Sequence, residues 1–183
     1  MTVTHRAGTD EDKSTELLDK YSATFTVEAA GTGEDSTDTQ LVGIATFSGG
    51  VNFNGGSLLK EKVKITAGKL SDNLNIDLEN GMVHHFTTAE SATSTPNIRV
   101  SSSISLNSMM EIGETVTVSV ITTAAAAGYS AQWTIDGAAA TEAWNGGSAP
   151  SAGGSSGKDF YTLNIIKTAD ATFTVLANVS NFA

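Results

Sequence analysis

The sequence predicts an all-β fold: an antiparallel β-sandwich of about ten strands, jelly-roll-like or immunoglobulin-like, with a short N-terminal helix or arm. Three observations predict it. Apolar and polar residues alternate at period two in one segment after another. Clusters of Gly, Asn, Asp and Ser separate those segments. The composition suits strands and turns, with 39% hydrophobic and only 16% charged residues and 18 glycines in 183 positions.

The N-terminal stretch, residues 1–21, stands apart. Thr9 precedes Asp10, Glu11 and Asp12, an N-cap followed by acids that suit the positive end of a helix dipole. Leu17, Leu18 and Tyr21 follow at helical spacing, so 10–20 reads as a short helix, or as an arm that orders on a partner. From residue 22 the pattern changes. Phe25 and Val27 alternate with Thr24 and Thr26, which makes 22–29 a half-buried strand. Residues 30–40 form a Gly, Thr, Ser and acid loop, and 41–47 the next strand. Ser48-Gly49-Gly50 and Asn54-Gly55-Gly56 flank a short β-ribbon.

In 58–67, Val63 and Ile65 alternate with Lys62, Lys64 and Thr66, a strand with one wet face. Leu74, Ile76 and Leu78 alternate with Asn73, Asn75 and Asp77. Asn80-Gly81 then leads into 82–88, a hairpin signal. Residues 89–95 are a Ser/Thr/Ala loop ending at Pro96, and 98–106 is extended. Val116, Val118 and Val120 define a strand over 115–123, and 124–127 is a connector. Trp133 and Ile135 lead into Asp136-Gly137, a second hairpin signal. Residues 145–157 are a low-complexity Gly/Ser loop too long for an ordinary turn. Strands over 160–166 and 171–179, joined at Thr168-Ala169-Asp170, close the chain. The domain reading is an arm over 1–21 for docking and a sandwich over 22–183, with a sub-boundary near 89–97.

Charge and composition exclude several function classes. With 20 acidic against 10 basic residues the net charge is −10, which repels phosphate backbones and anionic lipid, so neither nucleic acid nor membrane insertion is expected. No apolar run approaches the roughly 18 residues of a membrane span. The first ten residues lack the apolar core of a signal peptide, so a product of the cytoplasm is expected. Cysteine is absent, which removes disulfides and thiolate chemistry.

Reactive constellations are weak. His84 and His85 are neighbours, and on a strand neighbours face opposite sides, so the pair does not chelate one metal. Gly154-Ser155-Ser156-Gly157 lacks the spacing of a nucleophile elbow, and Gly31-Thr32-Gly33 lacks the rest of a dinucleotide fingerprint. Glu34, Asp35 and Asp38 read as a solvated loop, without the spacing of a calcium hand. Asp77 and Glu79 on one strand face, about 7 Å apart by strand rise, read as a wet face beside Asp72. Asn178-Val179-Ser180 matches a glycosylation sequon, which means little without a secretion signal. Trp133 reads as core. Trp144, at the mouth of the glycine-rich loop, suits either a core plug or a sugar-stacking or subunit contact. No catalytic residue, metal or cofactor is expected. The candidate surface contacts are Trp144, Asn145, Ser148 and Pro150, with Leu17, Leu18 and Tyr21 in the arm.

The second half carries a resemblance. Thr134-Ile135-Asp136-Gly137, Glu142-Ala143-Trp144, Gly146-Gly147-Ser148-Ala149-Pro150 and Gly153-Gly154-Ser155-Ser156-Gly157 occur in that order. Tyr161, Ile165-Ile166-Lys167-Thr168, Ala171-Thr172-Phe173-Thr174-Val175 and Asn181-Phe182-Ala183 follow. Together they resemble C-terminal segments of virion structural proteins of tailed phages of marine bacteria, many of them tail-fibre or tail-associated. The resemblance spans roughly 97–183 and, more weakly, 74–96. It implies a non-enzymatic virion component at the tail or capsid surface, made in the host cytoplasm, with other virion proteins as partners. A homotrimer is expected by analogy with phage appendages, and a host-surface glycan or receptor is a further partner. Capsid decoration is the alternative within this class. A carbohydrate-binding module built on Trp144 is the alternative outside it.

Overall fold

The computed structural model describes residues 2–3, 25–26 and 61–183. The chain divides into two compact units, Met1–Ser57 and Leu58–Ala183. In the first, β1 (Thr2–Val3) pairs antiparallel with β2 (Phe25–Thr26), and β2 lies within the segment read as a strand over 22–29. The helix expected over 10–20, with Leu17, Leu18 and Tyr21, lies outside the described residues, as do the loop at 30–40 and the strand expected over 41–47.

The second unit is an all-β sandwich. Its strands are β3 (Val63–Thr66), β4 (Asn75–Asp77), β5 (Val83–Ala89), β6 (Asn97–Arg99), β7 (Thr115–Thr123), β8 (Thr134–Ile135), β9 (Ala138–Ala139), β10 (Thr141–Trp144), β11 (Lys158–Ala169) and β12 (Thr172–Phe182). One helical turn, α1 (Leu106–Met109), lies between β6 and β7. A six-stranded sheet has the order β10-β12-β11-β7-β5-β3, and a four-stranded sheet the order β4-β6-β8-β9.

From β3 to β8 successive strands alternate between the two sheets. A chain that crosses the sandwich twice returns to its first sheet running the same way. Accordingly β3, β5 and β7 pair in parallel, and so do β4, β6 and β8. Antiparallel pairing joins β8 to β9, and β11 to both β7 and β12, while β10 runs parallel to β12. The sandwich is as the sequence predicts, with mixed pairing within each sheet.

The core lies between the sheets. Ile76, Ile98 and Ile135 stand in register across β4, β6 and β8, each at most 2% exposed. In the other sheet Val118 pairs with Leu163, and Ile165 with Val175, all fully buried. Trp133, also fully buried, meets the edge of Tyr161 at 5.5 Å between ring centres. Along β11 the odd positions from Asp159 to Lys167 are buried and the even ones half-buried, the period-two pattern read from the sequence. Each buried aliphatic side chain contributes about 1.5–3 kcal/mol.

The Asp136-Gly137 hairpin forms as expected. Both residues have positive φ, 51° and 83°, the left-handed pair that matches strand twist in a two-residue turn. Asn80-Gly81 does not make a hairpin. Leu78–Asn80 winds into a 3-10 turn, and β4 and β5 enter different sheets. Gly81 has φ 117°, and a side chain there would stand 2.9 Å from the Lys62 carbonyl oxygen, so this glycine serves a sheet crossing. The extended segment expected over 98–106 ends at Arg99, and Leu106 begins α1 instead. Ser105 caps that turn, its Oγ accepting the Ser108 N–H at 3.0 Å.

Ile98 is the central member of the isoleucine ladder. Ile98→Ala is expected to destabilise the folded chain by about 2–5 kcal/mol, read as a lowered urea midpoint.

Candidate functional site

The glycine-rich loop 145–157 is fixed at both ends. At its start, Asn145–Gly147 forms a 3-10 turn in which Gly146 and Gly147 take φ of 80° and 84°. At its end, the buried carboxylate of Asp159 accepts the Gly154 N–H at 3.0 Å and the Asn181 side-chain N–H at 3.1 Å. Asn181 also donates to the Ser156 carbonyl at 3.1 Å, and Gly153 N–H donates to the Ala126 carbonyl at 3.1 Å. A Cβ on Gly153 would stand 2.4 Å from the Ala125 carbonyl oxygen, so the close approach requires glycine.

Trp144 is half-buried and packs against the core from β10. Its indole N–H donates to Glu142 Oε2 at 2.8 Å, while Glu142 Oε1 takes the backbone N–H of Trp133. The edge strand is thereby tied to the core. Asn145 is exposed, and its side-chain amide donates to Asn178 Oδ1 at 3.0 Å. Ser148 is exposed and Pro150 half-buried. Leu17, Leu18 and Tyr21 remain outside the described residues.

A second site is a shallow groove of about 400 Å³ lined by Asn97, Arg99, Ser101, Ser103, Ile104 and Asp136, among others. Arg99 Nε donates to Asp77 Oδ1 at 2.6 Å, and this bond holds the guanidinium above its ordinary pKa. Asn97 Oδ1 accepts the Gly137 N–H at 2.7 Å. Asp136 accepts the N–H groups of Leu106 and Asn107 at 2.7 and 2.9 Å, so its carboxylate anchors α1 to the hairpin. Ser101 Oγ accepts the Ile104 N–H at 3.1 Å. Both carboxylates are therefore engaged, and the spare capacity is in serine hydroxyls and the guanidinium. This is hydrogen-bonding chemistry suited to hydroxyl groups. Sequence reading missed the groove because its members, 97–105 and 136–137, meet only through the β6–β8 pairing. The Ser101-Ser102-Ser103 run was the available signal.

Several other ionisable groups bind the backbone. Glu90 is buried and accepts the N–H groups of Leu70 and Ser71 at 2.6 and 3.2 Å, closing the 3-10 turn Leu70–Asp72. Lys167 is buried, and its Nζ donates to the carbonyls of Asn107 and Met110 at 2.7 and 2.8 Å, at the C-terminal end of α1. Asp77 lies on β4 and Glu79 in the following 3-10 turn, so the two do not share a strand face. His84 points inward and is buried, and His85 points outward and is half-buried. His84 Nε2 donates to the Gly81 carbonyl at 3.0 Å. Burial holds its pKa below 6.5, against the opposing pull of that bond. Burial also raises the Tyr161 hydroxyl to about 12. Among the described residues no three His, Asp or Glu side chains are grouped to hold a metal ion, and no helix is long and apolar enough to cross a membrane.

Comparison with protein-family models, with curated proteins and with solved structures finds no match to this chain.

Two outcomes follow from these contacts. Asp159→Ala leaves the Gly154 N–H and the Asn181 amide short of an acceptor. It is expected to cost about 1–3 kcal/mol and to speed amide exchange in 153–157, read by mass spectrometry. His84 accepts a proton less readily folded than unfolded, so the unfolded chain binds more protons just below pH 6.5. Stability is fully present above that pH and declines as pH falls through it, until the folded imidazole also titrates. His84→Gln is expected to make that decline shallower in urea titrations at a series of pH values.

Proposed function

We propose that the chain is a non-enzymatic structural component of a tailed-phage virion, tail or fibre associated, working through self-assembly and surface contact. The observation that carries this reading is the destination of its ionisable side chains. Glu90, Asp136, Asp159 and Lys167 all bind backbone groups and fix the connections between strands. The C-terminal end of the glycine-rich loop is anchored on such a carboxylate, which suits presentation of the loop to a neighbour. The ordered motifs over 97–183 that resemble tail-associated virion proteins support the same reading, as do the expected partners, other virion proteins and a host surface. Residues 1–21 are assigned to docking on the particle.

The groove supports a second reading, a carbohydrate-binding module. Its serine hydroxyls, its Arg99 and the exposed Ile104 side chain offer both polar contacts and an apolar face to a sugar ring. Trp144, the platform expected from sequence, is half-buried, and its indole N–H donates to Glu142.

Immunogold labelling of intact particles tests the leading reading. Label on the tail is expected. Label on the head moves the chain to capsid decoration, and particles without label overturn the virion assignment. A glycan array probed with the full chain tests the second reading, which fails if no sugar is retained.

A further inference from the structure

The two outward faces of the sandwich differ in chemistry. On the four-stranded sheet, Asn75 pairs with Asn97 and Asp77 with Arg99, a polar ladder with an ion pair. On the six-stranded sheet a partly apolar row runs across four strands in register: Ile65, His85, Ile121 and Phe160 on β3, β5, β7 and β11. Phe182 extends it on β12, edge-on to Phe160 at 6.2 Å. Ile65 is 65% exposed and Phe182 60%. Of the 20 Asp and Glu residues in the chain, 11 lie in 61–183, and none of these occupies an outward strand position of this sheet. Asp159 and Glu142, the carboxylates on its strands, point inward.

We infer that the outward face of the six-stranded sheet packs in solution against the same face of a second copy of this chain. Charge selects this occupant. A chain at −10 repels its own copy wherever carboxylates meet, and this face brings none together. A basic protein partner would find no acid on it. A nucleic acid would find only Lys158 as a formal cation, already donating to Thr123 Oγ1 at 2.6 Å. A face that meets its own copy must be self-complementary. Thr, Ser and Asn fill most of the outward positions outside the apolar row, and each both donates and accepts hydrogen bonds. The extent is adequate. Strands about 4.8 Å apart make the sheet roughly 25 Å across, and its longest strands run about 35 Å. That is on the order of the ~800 Å² per partner of a stable contact. The two sheets would lie about 10 Å apart.

The inference rests on the self-association proposed above, gives it a surface, and replaces the homotrimer expected by analogy with a two-fold pair. It is tested on the purified full chain, so its failure is separate from a failure to label particles. Sedimentation equilibrium of the wild type is expected to give twice 18.8 kDa. Ile65→Asp and Phe182→Asp each put a carboxylate at an exposed position that a folded monomer tolerates. Each is expected to sediment as a monomer with an unchanged far-ultraviolet spectrum. Ile112→Asp, 67% exposed in the turn before β7 rather than on a strand of the face, is expected to remain dimeric. The inference is overturned by a monomeric wild type at on the order of 100 µM, by an odd-numbered assembly, or by a dimer that survives both substitutions.

Discussion

The contact between the isoleucine ladder and the long strands opposite it sustains the rest of the sandwich. β4, β6 and β8 have only three, three and two residues, far too short to persist as a separate sheet. Each contributes one isoleucine, and the three stack in register. What those side chains face is a sheet built on β11, which pairs with β7 on one side and β12 on the other along most of its length. The long antiparallel strands thus act as the template. The short parallel strands are held by what they bury rather than by their own ladders.

Crossing between sheets has a cost in unpaired backbone. Each crossing leaves N–H groups outside any ladder, and a buried N–H must find an acceptor. The acidic side chains supply several. Glu90 serves the turn after β3, Asp136 the start of α1, and Asp159 the end of the glycine-rich loop. Lys167 does the complementary work on carbonyls at the other end of α1. Part of the acidity of this chain is therefore internal architecture. Nine of the 20 carboxylates also lie in residues 1–60, outside the six-stranded sheet.

How much of this was legible in the sequence depended on the range of the interaction. β7, β11 and β12 were readable because period-two burial is written within each strand. The Asp136-Gly137 turn was readable because positive φ at two successive residues is a local demand. Asn80-Gly81 misled because the same dipeptide satisfies a different demand, the passage of Gly81 beside the Lys62 carbonyl. Nothing local distinguishes a turn that doubles back from one that changes sheet. Parallel pairing was illegible for the same reason, since it follows from two crossings taken together. Trp144 left two readings open, and the Glu142 carboxylate two residues away decides what its indole N–H binds. The groove required β6 and β8 to meet before its residues became neighbours.

Edges and faces of a sandwich compete as places for association, and here the edges are weak. The six-stranded sheet ends in β10 and β3, four residues each, and the smaller sheet in β4 and β9, with three and two. Edges this short offer a second chain few backbone hydrogen bonds, a recognised guard against uncontrolled strand addition. β10 is further constrained by the Trp144–Glu142 bond beneath it. The faces carry no such limit, because burial scales with area while edge pairing scales with length. The face-to-face pairing inferred above would therefore draw on the broader face, which lacks carboxylates at its outward strand positions, and not on these short edges.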